Sequence, residues 1–292
     1  MRTKMRRTQT ARGQGKVIAG ERDRMQSEML SGAMGGLLVA KTLIVVWAFH
    51  RLGTYPRWFW VALAGSAAFA LVVWLLRSAT GPAAALGGFV CMNILLAQGF
   101  GMSWQQTAMP ALLTLFVLTF AATRFGRSRK ERMGVAEPKR GRRAAQVLAN
   151  LGVAGLCAGA ASPLLLAACL AALAEATADT VSSEMGQALG GRTLLITSWS
   201  EVPAGTDGGI SIAGTTLGAA AAGAIVLVTA ATRFVRWEMG MVVFGAAVAG
   251  LLFDSWLGAT VERKGWLGND LVNFCSTVVA AVVGYWGMRL MM

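Results

Sequence analysis

The chain has 292 residues, of which 55% are hydrophobic and only 14% charged, against roughly 25% charged in soluble domains. With a mean hydropathy of +0.56, too few charges are left to coat a water-soluble globule, and the apolar content excludes disorder. The net charge of +13, from 27 Lys and Arg against 14 Asp and Glu, would point to nucleic acid in a soluble protein; here it asks which side of a bilayer the positive residues occupy.

Residues 1–28 form a polar, basic arm. No aromatic or nucleic-acid fold signature accompanies its charge, so the expected partner is anionic lipid and not nucleic acid. Apolar stretches at 31–49 and 58–76 follow, making residues 29–77 a pair of amino-terminal transmembrane helices. His50, the chain's single histidine, sits alone at the end of the first stretch, which removes Ser–His and histidine–metal chemistry. Further stretches occupy 82–100 and 104–123, and an apolar block runs from 146 to 178. That block is too long for one helix and holds Gly159, Ser162 and Pro163 at its middle, so it reads as a hairpin whose first helix is short. Stretches at 209–231, 240–258 and 270–288 complete an all-α membrane bundle of about nine transmembrane helices. Cys91, Cys157, Cys169 and Cys275 lie in apolar stretches without pairing or metal spacing, as buried hydrophobes do.

Placing the amino terminus in the cytoplasm puts 21 Lys and Arg on that side and five on the other, with Lys41 inside the first helix. Such a bias sets orientation, here in the plasma membrane. One long helix over 146–178 would carry the later loops to the face opposite the basic 124–143 loop, so the charge split also supports the hairpin.

On this topology Glu175, Asp179, Glu184, Glu201, Asp207, Asp254, Glu262 and Asp270 all lie at or near the cytoplasmic face. Ionisable groups against hydrocarbon are costly and mark function. In EATADTVSSEMG, residues 175–186, Glu175 and Asp179 are four apart and share a helix face. Either one carboxyl is protonated, or a cation such as Mg²⁺ sits between this helix and another, or the carboxylates simply bond a neighbouring helix. In DSWLGATVERKGWLGNDLVNF, residues 254–274, Asp270 opens a helix, where a cap would explain it. Asp254 lies at a helix carboxyl end, where the dipole disfavours it. Gly205, Gly208 and Gly209 form a glycine-rich turn entering the next apolar helix, a place where free N–H groups attract phosphate; Gly214 and Gly218 suit close helix packing. Within the basic loop, Arg124 leaves its helix at the membrane plane and Lys130 follows, both within reach of phosphate, with Gln146 and Asn150 opening the next helix.

The segments ATADTVSSEMG, VPAGTDGGIS, DSWLGATVERKGWLGNDLVNF and ATRFGRSRKERMG with QVLAN resemble the motifs of an integral-membrane family long described as a domain of unknown function. It includes the transmembrane protein 19 group and the plant phytyl-phosphate kinase of vitamin E biosynthesis. The resemblance covers about residues 75–290, so residues 78–292 are the expected family domain, with the catalytic face at the cytoplasmic side. Asp207 stands where the family's GTNGG-like turn carries Asn, and Glu175 is outside the family pattern. The resemblance implies phosphoryl transfer from a nucleoside triphosphate, CTP in preference to ATP, to an isoprenoid monophosphate. Asp179, Glu184, Asp254 and Asp270 would hold Mg²⁺ with Asn273 in support. Arg124, Lys130, Arg192 and Asn150 would bind phosphate, cradled by Gly205, Gly208 and Gly209. The competing expectation is a transporter or lipid flippase using the carboxylates for cations or protons; no internal repeat supports it. Whether the chain forms a homo-oligomer stays open.

Overall fold

The computed structural model describes residues 18–97, 103–137, 140–158 and 162–292. The arm up to residue 17, with its expected lipid contact, and Gly159 lie outside the described residues. Helix α1 spans Gly20–Arg51 and outruns a bilayer because it starts in polar sequence; Glu21 and Asp23 in its first turn complement the helix dipole. Helix α2, Arg57–Leu75, starts directly after Pro56. Helices α3, Gly81–Leu96, and α4, Met109–Arg124, each carry a proline in the first turn, where the missing N–H costs nothing. Gly126, at φ 61°, turns the chain into the short basic helix α5, Arg127–Met133, bent by 62° from α4. Helices α6, Ala144–Cys157, and α7, Pro163–Leu189, divide the long apolar block. Ser162 caps α7 by accepting from the Leu165 amide at 3.3 Å, and Pro163 opens it. Helices α8, Ile212–Ala231, α9, Trp237–Leu257, and α10, Asn269–Leu290, complete the bundle. The last turns of α9 widen into a π-helical segment, Gly258–Glu262.

The polytopic all-α architecture stands. Among the described residues six helices, α1, α2, α7, α8, α9 with its π-turn, and α10, are long and apolar enough to cross a membrane, and α4 with α5 makes a seventh when the bent pair counts as one. Helices α3, α4 and α6, at 16, 16 and 14 residues, are shorter than the ~20 a crossing needs.

Helix α7 is the axis of the bundle: 78% of its most apolar window is buried in protein, against 28% for α1. Its run of alanines permits this, since small side chains let helices approach closely. A Cβ at Gly214 would lie 2.6 Å from the Ser182 carbonyl and one at Gly218 2.7 Å from that of Ala178, so α8 lies backbone-to-backbone on α7. Lys41, on α1 within the apolar zone, donates to the Gly155, Leu156 and Ala158 carbonyls and so closes the carboxyl end of α6. The α7–α8 connection, expected only as a glycine-rich turn, also folds into a small antiparallel sheet. Strand β1, Thr193–Leu195, lies between β2, Glu201–Val202, and β3, Gly209–Ile210. Gly205 and Gly208 occupy the β2–β3 link and Gly209 opens β3.

Candidate active site

One end of the bundle gathers the amino ends of α6, α8 and α10 with the carboxyl ends of α7 and α9. Between them lies a polar cleft of about 240 Å³. Helix α7 contributes Asp179, Thr180, Ser183 and Glu184; α9 and its π-turn contribute Asp254 and Glu262; α10 contributes Asn269 and Asn273; the loop before α6 contributes Glu137 and Arg142. The glycine turn, residues 205–209, and Ser211 form the remaining wall. Six carboxyl groups line this cleft against one guanidinium among the described residues. That imbalance favours a cationic ligand.

The glycine turn is held by close approach. Gly208 adopts φ 72°, and a Cβ there would fall into the Ala259 backbone. Gly258 in turn lies so near Gly208 that its own Cβ would sit 2.7 Å from the Gly208 nitrogen. Two glycines thus press the turn against the π-segment that carries Glu262. Ser211 accepts from the Gly214 amide at 3.1 Å and caps α8, which starts directly behind the turn.

Asp179 and Asp254 face one another near enough to interact, with Glu175 one turn deeper. One Asp254 oxygen is buried without a hydrogen bond, and both Glu175 oxygens are also unpartnered, although the carboxyl is only 1% exposed. Buried acceptors of this kind call for an ion, a proton or a ligand. Asn273 donates to Asn150 at 3.2 Å, tying α10 to α6 at the cleft wall.

The other expected site residues are placed differently. Among the described residues no three Asp, Glu, His or Cys side chains form a group that could hold a metal ion, so the four carboxylates expected to share Mg²⁺ do not converge as one ligand set. Asp270 turns away from the cleft, accepting from the Ser27 hydroxyl at 2.7 Å and lying 3.5 Å from Arg143, which fastens α1 to α10. Glu184 lines the cleft but is engaged by Lys130 at 2.5 Å. The same ammonium donates to the Ala122 and Thr123 carbonyls, so Lys130 is consumed by structure and not held out for phosphate. Arg124 stacks 3.5 Å over the Phe120 ring and donates to the Leu76 carbonyl, outside the polar cleft. Arg192 is exposed on the sheet, 3.3 Å from Glu201.

Arg142 and Glu137 were not singled out from the sequence, and Glu262 was placed at the cytoplasmic face without a role in the site. Glu262 follows Asp254 by eight residues, a spacing that shares a helix face and could have found it. Arg142 had no such signal. It is placed by a short backbone bridge in which its N–H donates to the Ser78 carbonyl and its own carbonyl accepts from Thr80. Gly141, at φ 80°, permits that bridge, since a Cβ would strike the Ala79 backbone at 2.6 Å. From there the Arg142 guanidinium reaches the Thr180 hydroxyl at 3.5 Å.

A family model described as integral membrane protein DUF92 matches residues 64–281, well over half of the chain, beginning within α2. The chain is similar to an uncharacterized membrane protein of Synechocystis sp., 31% identical over 68% of this chain and 84% of that protein. It is similar to "Protein VTE6, chloroplastic" of Arabidopsis thaliana, 34% identical over 58% of this chain and 54% of that one. An uncharacterized membrane protein of Methanocaldococcus jannaschii is 38% identical over 39% of this chain and 48% of its own length. No solved structure matches.

Proposed function

The chain belongs to the DUF92 integral membrane family, and from that premise we propose that it is a prenyl-phosphate kinase. It would move the terminal phosphoryl group of a nucleoside triphosphate, CTP in preference to ATP, onto an isoprenoid monophosphate. The motif resemblance to the plant phytyl-phosphate kinase and the similarity to the Arabidopsis protein support this reading. The observation that carries it is the meeting, in one cleft at one end of the bundle, of Asp179, Asp254, Arg142 and the backbone of the glycine turn.

Phosphoryl transfer between anions needs positioning and charge neutralisation more than covalent catalysis. The reaction breaks the bond between the terminal phosphorus and its bridging oxygen and forms one to an acceptor phosphate oxygen. The products are a nucleoside diphosphate and an isoprenoid diphosphate. The acceptor phosphate is already ionised, so no strong base is required. Asp179 and Asp254 would hold Mg²⁺, with Asn273 in support; the unpartnered Asp254 oxygen fits that role. Mg²⁺ is commonly held by one or two carboxylates and completed by substrate phosphates, which suits a site with no three-residue cage. When bound, the ion offsets charge on the phosphoryl oxygens. The glycine turn would present N–H groups to the donor phosphates. Arg142 would grip phosphate oxygens at the edge of the cleft.

The test is an assay of the purified full chain with Mg²⁺, labelled CTP or ATP, and a panel of isoprenoid monophosphates. Labelled diphosphate from at least one pair is the expected result. Absence of product with every donor, alongside cation-coupled uptake in vesicles, would replace the kinase with the transporter.

A further inference from the structure

A second cleft, of about 500 Å³, lies on the other side of Arg142, between α2, α3, α4 and α6. Its walls are apolar, with Phe69 and Val73 from α2, Gly87 from α3, and Leu112 and Phe116 from α4 among its lining. Its mouth is different. Arg77, Arg124, Arg127 and Arg142 surround it, and among the described residues Arg77, Arg124 and Arg142 form no ion pair. Glu137 and Arg142 line both this cleft and the polar one, so the two spaces meet at that pair.

We propose that this cleft is the acceptor subsite: the isoprenoid tail lies between α2, α3, α4 and α6, and its monophosphate sits among the arginines, next to Arg142. The inference rests on the kinase reading above and adds the acceptor's place and a limit on its length. Charge complementarity selects the occupant, because an apolar slot whose mouth holds four guanidinium groups against the single lining carboxyl of Glu137 fits a lipid with one anionic head. A neutral prenol or a bulk phospholipid with a wide head matches it less well. The volume lies within the ~300–1,000 Å³ of small-ligand sites. From Thr123 at the mouth to Leu112 at depth, α4 rises roughly 16 Å, which accommodates a tail of a few isoprene units and not a long polyprenyl chain. Arg142 then stands between acceptor and donor, where a transferring phosphoryl group must pass. The β-bridge to Ser78 and Thr80 keeps it there.

Gly87 gives a clean probe. A Cβ there meets only the Phe69 ring, at an ordinary 3.8 Å, so Gly87→Leu fills the slot without touching the arginines. Full-length protein in nanodiscs is titrated with geranylgeranyl monophosphate and with dimethylallyl monophosphate, without nucleotide. Gly87→Leu is expected to weaken the long ligand by roughly tenfold, and to leave the short one within about twofold. Independently, a geranylgeranyl monophosphate with a diazirine at the tail end is expected to label peptides of α2 and α4 in the wild type. Equal effects on both ligands, or label on α8 to α10, would overturn the subsite, and label mapping on the wild type decides if the variant does not fold. Binding with this pattern but without diphosphate formation would overturn the kinase reading and leave the subsite standing.

Discussion

The Lys130 ammonium lies 2.5 Å from a Glu184 carboxylate oxygen, and the two side chains are 1% and 10% exposed. This pair locks the basic helix α5 onto the end of α7, with the Ala122 and Thr123 carbonyls taking the remaining ammonium protons. Removing one partner of such a pair strands a buried charge. Lys130→Met should therefore destabilise the protein by about 3–5 kcal/mol, and pairing it with Glu184→Met should recover most of the loss. Thermal unfolding in detergent of the two single variants and the double variant checks the cycle. Additive losses would show that the two groups do not depend on each other.

Lys41 contributes through a different device. Its three carbonyl acceptors end α6, and removing the ammonium takes away the donor they share. Lys41→Met should lower stability by about 2–4 kcal/mol while leaving turnover per folded molecule unchanged. A loss of turnover at full stability would assign Lys41 to the reaction instead.

For the proposed reaction, Asp254→Asn and Asp179→Asn should each reduce turnover by roughly a thousandfold or more without preventing membrane insertion. Chelating Mg²⁺ from the wild type should have the same effect and be reversed by adding it back. Wild-type rates in either variant would remove that residue from the cation site.

Gly208 tests whether the turn must keep its backbone shape. Gly208→Ala imposes a left-handed φ on a residue with a Cβ and drives that Cβ into Ala259, about 1–3 kcal/mol of strain before the clash is counted. The expected result is a weaker apparent affinity for nucleotide, read as a raised KM, with a modest fall in melting temperature. Asp207→Asn, a near-isosteric change at an exposed position in the same turn, should leave the fold intact, as circular dichroism would report.

Glu137 sets a pH dependence. Burial pushes its carboxyl above the ordinary Glu range, while the neighbouring Arg142 works in the opposite direction. The folded protein then holds this proton to higher pH than the unfolded chain does. The contribution of Glu137 to stability is fully present below the ordinary carboxylate range and is lost as pH rises through the raised value. Glu137→Gln should flatten the decline in melting temperature over that window. An unchanged slope would assign the pH dependence to other groups.

Much of this architecture was legible in the chain. The hairpin within 146–178 was readable because Ser162 and Pro163 make a strong local start signal, and the structure caps α7 there. The gathering of Asp179, Asp254 and the glycine turn followed from a loop pattern that sent all three to the same end of the bundle. Misplaced residues share one cause. Lys130 and Asp270 were judged by sequence position at the membrane plane, whereas their partners, Glu184 and Ser27, come from remote segments.

Composition, hydrophobic run length and loop charge determined that this is a helical membrane protein with its acidic residues concentrated at one end, because these properties depend only on neighbours along the chain and on the solvent outside it. Which cations are spent on ion pairs, which carboxylates lack a partner, and where a polar cleft meets an apolar one were decided by tertiary packing. Helix rotation and a single β-bridge choose among many equally polar side chains, and neither can be read from spacing alone.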